Sequence, residues 1–112
     1  MRDDLLARAI VIESDGVRVA LVGCDLISIT GEVADPAKEL IQSECGIAHD
    51  HVLICTTHTH TGPEMRPNSV VPQATEWAAG LPRMIADAVK AAADNMFAAT
   101  LHAGRAEVQD CS

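Results

Sequence analysis

Apolar positions come in short blocks whose period changes along the chain. Residues 6–13 are rich in Ala, Ile and Val and end at Ser14-Asp15-Gly16. A second block, Val17 to Gly23, reads Val-Arg-Val-Ala-Leu-Val-Gly. Two β-rich runs around a Ser-Asp-Gly tripeptide predict a β-hairpin, with Gly16 free to take the positive φ that a tight turn needs. Cys24-Asp25-Leu26 closes the second run, and Ile27-Ser28-Ile29-Thr30 follows.

The period then lengthens. A helix is expected from about Gly31 to Glu44, with Leu40 and Ile41 as its buried stripe and Gly46 as the terminating glycine. Pro36 fits only a first turn, which makes Asp35 a candidate N-cap. Val52 to Thr57 is short, β-branched and almost continuously apolar, the pattern of a strand covered on both faces. A polar, Pro-containing stretch follows, residues 58–72. Residues 74–94 repeat Trp77, Leu81, Met84, Ile85, Ala88, Val89 and Ala92 at helical spacing, which assigns Trp77 and Met84 to core packing. Pro82 lies inside this stretch, so a break or kink is expected near Leu81. Residues 98–108 alternate loosely around Gly104 and are expected to form a final strand, with His102 partly buried in it. The order β-β-α-β-α-β predicts an α/β fold: a mixed, mainly parallel sheet with helices packed on it.

The chain has 112 residues, 48% of them hydrophobic, which suits one small domain. With one Trp, one Phe and no Tyr, a core of Ala, Val, Ile and Leu buries little area per side chain. A thin core or a portion of a larger domain is expected. Sixteen acids oppose eight Lys and Arg residues, for a net charge of −8. A nucleic-acid binder carries a basic face, and an anionic membrane surface would repel this chain. No apolar run is long enough to span a bilayer, and the charged opening is unlike a signal peptide. Four cysteines, without a C-x-x-C pair, point to neither a zinc ribbon nor a disulfide framework. Cys24 and Cys55, in apolar surroundings, are expected to be buried thiols.

The chemistry concentrates in Thr56-Thr57-His58-Thr59-His60-Thr61-Gly62-Pro63. It follows a buried strand, and ligands of α/β sheets bind beyond the carboxyl ends of strands. Side chains two apart in extended backbone face the same way, so His58 and His60 can converge on one metal ion or one substrate. Zinc suits imidazole, and neighbouring threonines can orient the ring nitrogens. A second pair, His49-Asp50-His51, precedes the strand and lies at the wrong end of the sheet, so an exposed turn is expected there. Asp25 can either reach the edge that carries His58 or cap the turn after its own strand, and the cap is the simpler reading. Glu64 is a candidate general base and Arg66 a loop cation, both equally compatible with solvated charges.

Taken together, the runs Leu6 to Ile12, Val19 to Val22, Cys24-Asp25-Leu26, Gly46-Ile47 and Val52 through His58-Thr59-His60-Thr61-Gly62-Pro63 resemble the amino-terminal region of the neutral/alkaline, non-lysosomal ceramidase family. The resemblance covers nearly the whole chain, in order. Members are zinc amidohydrolases that split ceramide into sphingosine and a fatty acid. The family form is usually His-Thr-His-Ser-Gly-Pro, so Thr61 departs from it.

By position the resemblance implies one zinc ion held in part by His58, with His60 a catalytic residue that orients or polarises the substrate. The substrate implied is a ceramide-like lipid amide. The family's other ligands, a histidine, a glutamate and a tyrosine, come from later in longer chains. Residues 1–112 then correspond to part of a catalytic domain, cut at both ends, with the remaining ligands outside this chain and no activity alone. Two alternatives stay open: a related zinc hydrolase acting on another amide or ester, and a non-catalytic α/β binding module.

Overall fold

The computed structural model describes residues 3–66 and 68–109. Strands β1 (Ala7–Ser14) and β2 (Val17–Cys24) form the expected hairpin, antiparallel, with Ser14 opposite Val17. Asp15 and Gly16 both have positive φ, 51° and 79°. A two-residue turn with both φ angles positive matches the twist of the flanking strands, and Asp-Gly is suited to it. Strand β3 (Val52–Thr56) then pairs parallel to β2, giving the order β1-β2-β3.

Helix α1 (Gly31–Cys45) connects β2 to a short 3-10 turn (His49–His51) that leads into β3. It ends as expected, with Gly46 in the left-handed region at φ 67° and its N–H on the Gln42 carbonyl, 3.1 Å. Its start differs from expectation. Thr30, not Asp35, is the N-cap, and its carbonyl receives the N–H groups of Val33 and Ala34 at 3.1 and 2.9 Å. Pro36 therefore sits inside the helix, on an exposed stretch where water can satisfy the carbonyl left without an N–H partner.

Helix α2 (Thr75–Asp94) also runs through its proline as one element, so the expected break near Leu81 is absent. Leu81, Ile85, Ala86 and Val89 are buried along it, and that packing outweighs the single hydrogen bond lost at Pro82. Met84 departs from the expected stripe: it is 55% exposed, while Trp77 is half-buried against the core.

One core joins the inward face of the sheet to both helices: Ala20, Val22 and Cys24 from β2, Val33, Ala37 and Ile41 from α1, and the buried residues of α2. Both helices cover the same face. Hence β3 alternates rather than being buried on both sides, with Val52 buried, Leu53 56% exposed and Cys55 exposed. The expectation of a buried Cys55 fails for this reason, whereas Cys24, on the helix side, is buried as expected. Cys24, Cys45 and Cys55 are free thiols, and Cys111 lies outside the described residues.

The molecule is thus an α/β fold with a mixed three-stranded sheet and two helices. One antiparallel and one parallel pairing replace the expected mainly parallel sheet. No strand forms over residues 98–108, and His102 is exposed. Small side chains and Gly104 give that stretch little to bury. Among the described residues no helix is long and apolar enough to cross a membrane.

Candidate functional site

Three chain segments meet where the parallel pair ends. Cys24 of β2 lies beside Thr56 of β3, and the next residue, Thr57, donates its N–H to the Cys24 carbonyl at 3.0 Å. Asp25 donates its N–H to the Leu6 carbonyl at 3.0 Å, and its carboxylate accepts the Leu6 N–H at 3.0 Å. The same carboxylate takes Arg8 Nη1 at 3.1 and 3.2 Å. These bonds draw Asp25 below the ordinary carboxylate range, the Leu6 N–H first, with Arg8 and the Thr57 hydroxyl adding to it. Asp25 therefore ties the loop after β2 to the start of β1, rather than capping the turn after its own strand as expected.

The loop after β3 folds onto the loop after β2. His58 has φ 60°, a left-handed conformation that is uncommon outside glycine. In that conformation its Nδ1 lies 2.8 Å from the Ile27 carbonyl. A carbonyl can only accept, so Nδ1 carries the proton, and the neutral ring then presents Nε2 as an unprotonated donor of electrons. His60 brings its ring edge-on to that of His58, with centroids 4.9 Å apart and planes at 83°. The two rings come together edge to face, by a left-handed turn at His58 rather than by an extended strand.

The threonines do not orient the rings. Thr59 and Thr61 bond each other, Oγ1 to Oγ1 at 3.2 Å, and the Thr61 N–H reaches Thr59 Oγ1 at 3.5 Å. The ring of His58 is set by a main-chain carbonyl instead. No sequence signal marks that carbonyl, because any residue at position 27 supplies one.

Glu64 and Arg66 pair with each other. Arg66 donates its main-chain N–H, Nε and Nη2 to the Glu64 carboxylate at 2.8, 2.9 and 2.7 Å. Arg66 holds Glu64 well below the usual carboxylate range, which makes it a poor proton acceptor near neutral pH. The general-base role is thus not supported for Glu64, which instead ties down the loop. Ala74 donates its N–H to the Glu64 carbonyl at 2.9 Å, closing the loop back onto α2.

An apolar cavity of about 480 Å³ opens beside this junction, between the start of β1 and the first half of α2. Leu5, Leu26, Trp77, Leu81, Met84 and Ile85 line it, and Asp25 stands at its polar end. Asp25 also borders a more polar hollow formed by Asp3, Asp4, Thr57, Thr59 and Thr61, so the two spaces share a wall. The helical spacing of Trp77 and Met84 marks them as apolar but does not show that they border an open cavity.

The other histidine pair is at the opposite end of β3. His51 Nδ1 lies 3.2 Å from the Arg18 carbonyl, while His49 Nε2 turns to Asp35 Oδ1 at 3.8 Å. It occupies the short exposed turn expected of it.

As a metal centre, the carboxyl-end site offers Nε2 of His58 and the neighbouring ring of His60. Catalytic zinc takes about three protein ligands. Among the described residues no group of three His, Cys, Asp or Glu side chains comes together to hold a metal. His58 therefore fits one ligand position, and the described donor set is short of a full one. Comparison of the chain with protein-family models, with curated proteins and with solved structures found no match.

Proposed function

We propose that this chain forms part of the active site of a zinc-dependent amidohydrolase of the neutral ceramidase type, acting on a ceramide-like lipid amide. The observation that carries the reading is the imidazole pair beyond β3: His58, anchored through Nδ1, with His60 4.9 Å away, at the end of the sheet where ligands bind. In this reading His58 is a zinc ligand through Nε2, and the remaining ligands come from outside these 112 residues. Zinc, when bound, supplies a Lewis acid and lowers the pKa of a water to about 7.

The chain's own residues do the rest. The Ile27 carbonyl fixes the tautomer and direction of His58. His60 orients and polarises the amide carbonyl of the substrate. The apolar cavity under Trp77 and Leu81 accepts a hydrocarbon chain and excludes water, which favours a lipid amide over a water-soluble one. The parallel β2–β3 pair belongs, in this reading, to a larger and mainly parallel sheet.

The test is zinc content and ceramide turnover of the protein that carries this chain, with single variants. His58→Ala is expected to lose both. His60→Ala is expected to keep zinc and lose turnover through kcat. Zinc retained at full stoichiometry in His58→Ala would remove the ligand assignment. Turnover of a soluble amide or ester in place of ceramide would move the reading to a related hydrolase. Full partner binding with no turnover at all would move it to a binding module.

A further inference from the structure

At the far side of the sheet two backbones without a ladder partner among the described residues face each other. The first is the outer edge of β1, the strand at one end of the order β1-β2-β3. The second is the segment after α2. Residues 96–109 are exposed throughout and lie outside any strand or helix. Among the described residues their main-chain groups take no part in the loop and cap hydrogen bonds, which end at Asn95. The segment still has strand character, because Phe97, Ala99, Leu101 and Ala103 alternate with Ala98, Thr100 and His102. Phe97 and Leu101 are each 85% exposed, unusual for side chains of this kind.

Between edge and segment runs a groove of about 520 Å³. Residues 9–13 of β1 form one wall, and Ala99, Thr100 and Leu101 form the other. The segment therefore stands off the edge instead of laddering onto it. An open edge beside an open slot invites an extended strand, held by main-chain hydrogen bonds and by pockets for alternate side chains.

We propose that the slot is filled by residues 97–103 of a second copy of this chain. Each chain carries both the slot and an unused strand, so one two-fold axis satisfies both at once. The strand from each copy enters between β1 and the segment of the other. The order across the interface is then β1, the partner's segment, the first copy's segment, and the partner's β1. The two three-stranded sheets become one continuous eight-stranded sheet. Charge permits the contact although each chain carries −8, because residues 96–104 contain no Asp or Glu and the one acid of the wall, Glu13, is paired with Arg18.

The test is the mass of the full chain by light scattering over a range of concentrations, together with amide hydrogen exchange. The wild type is expected at twice the mass of one chain, with slow exchange over residues 98–102. Thr100→Pro removes an N–H on one side of the inserted strand, and Leu101→Pro removes one on the other. Both sites are exposed and outside the core, so each variant is expected to unfold in one cooperative thermal transition, as a folded chain does, and to fall to the mass of one chain. A wild type that is monomeric at every concentration overturns the proposal, with or without slow exchange over residues 98–102. So does a dimer that both proline variants leave intact.

Discussion

The strand β3 carries a His-x-His sequence at each end, and the two ends are built differently. In each, one imidazole is anchored through Nδ1 to a main-chain carbonyl, His51 to Arg18 and His58 to Ile27. A single anchored ring therefore does not distinguish them. The second ring does. At the amino end His49 turns away to Asp35, while at the carboxyl end His60 meets His58 edge to face. The cause lies in the backbone. His49–His51 is a short 3-10 turn, which fans successive side chains around its axis. His58 is in the left-handed region, which folds the loop so that its neighbour two residues on comes back beside it. Spacing in sequence proposes a pair, and the local turn decides whether the pair exists.

The comparison assumes one frame under both ends, and the largest expected effect tests that frame. Ile41 is fully buried in the core that joins both helices to the sheet. Ile41→Ala is expected to cost about 2–5 kcal/mol of unfolding free energy, read from urea unfolding. Exchange of the His51 and Thr57 amides, one at each end of β3, should quicken together. Loosening of one end alone would show that the two ends do not share a frame.

The next effect contrasts the ends directly. If the chain is part of a zinc site as proposed, His58→Ala is expected to weaken zinc binding in the protein that carries it by more than about 100-fold, beyond the loss of an outer partner, whereas His51→Ala leaves it unchanged. Equal losses at both positions, measured by competition with a chelator, would erase the distinction. A smaller contrast concerns backbone alone. His58→Gly and His58→Ala both lack the imidazole, so their difference reads the left-handed conformation, and glycine should be more stable by about 1 kcal/mol. At His51, inside a helical turn, the sign should reverse, with glycine less stable than alanine by about 0.5–1 kcal/mol. The same sign at both positions would mean that the left-handed turn does not set the carboxyl end apart.

Much of this was legible where the signal is local. The Asp-Gly turn, the ends of β2, Gly46 as the helix stop and the apolar start of β3 all follow from neighbouring residues. The misreadings share a cause. Cys55 and Leu53 look buried because β3 is apolar throughout, yet burial depends on which face the helices cover. Pro36 and Pro82 look like boundaries, yet tertiary packing carries both helices through them. The stretch after α2 has strand alternation but lacks a partner within the described chain. At the site, His58 and His60 were legible as a pair, while the carbonyl that orients His58 and the Arg8–Asp25 tie behind it were not, since they join residues 31 and 17 positions apart.

That tie supplies the smallest expected effect, and its sign follows from linkage. Asp25 in the folded chain is held below its ordinary range by the Leu6 N–H and by Arg8. A carboxyl lowered on folding stabilises the fold above its unfolded pKa of about 3.9, and the stabilisation is lost as pH falls through the lower folded value. Urea midpoints measured between pH 7 and pH 2 should therefore decline on the acid side. Asp25→Asn keeps an acceptor for the Leu6 N–H but removes the titrating charge, so its acid decline should be shallower than the wild type's. If Asp25→Asn declined as steeply as the wild type, the tie between Asp25, Leu6 and Arg8 would not be what holds the loop that carries Ile27.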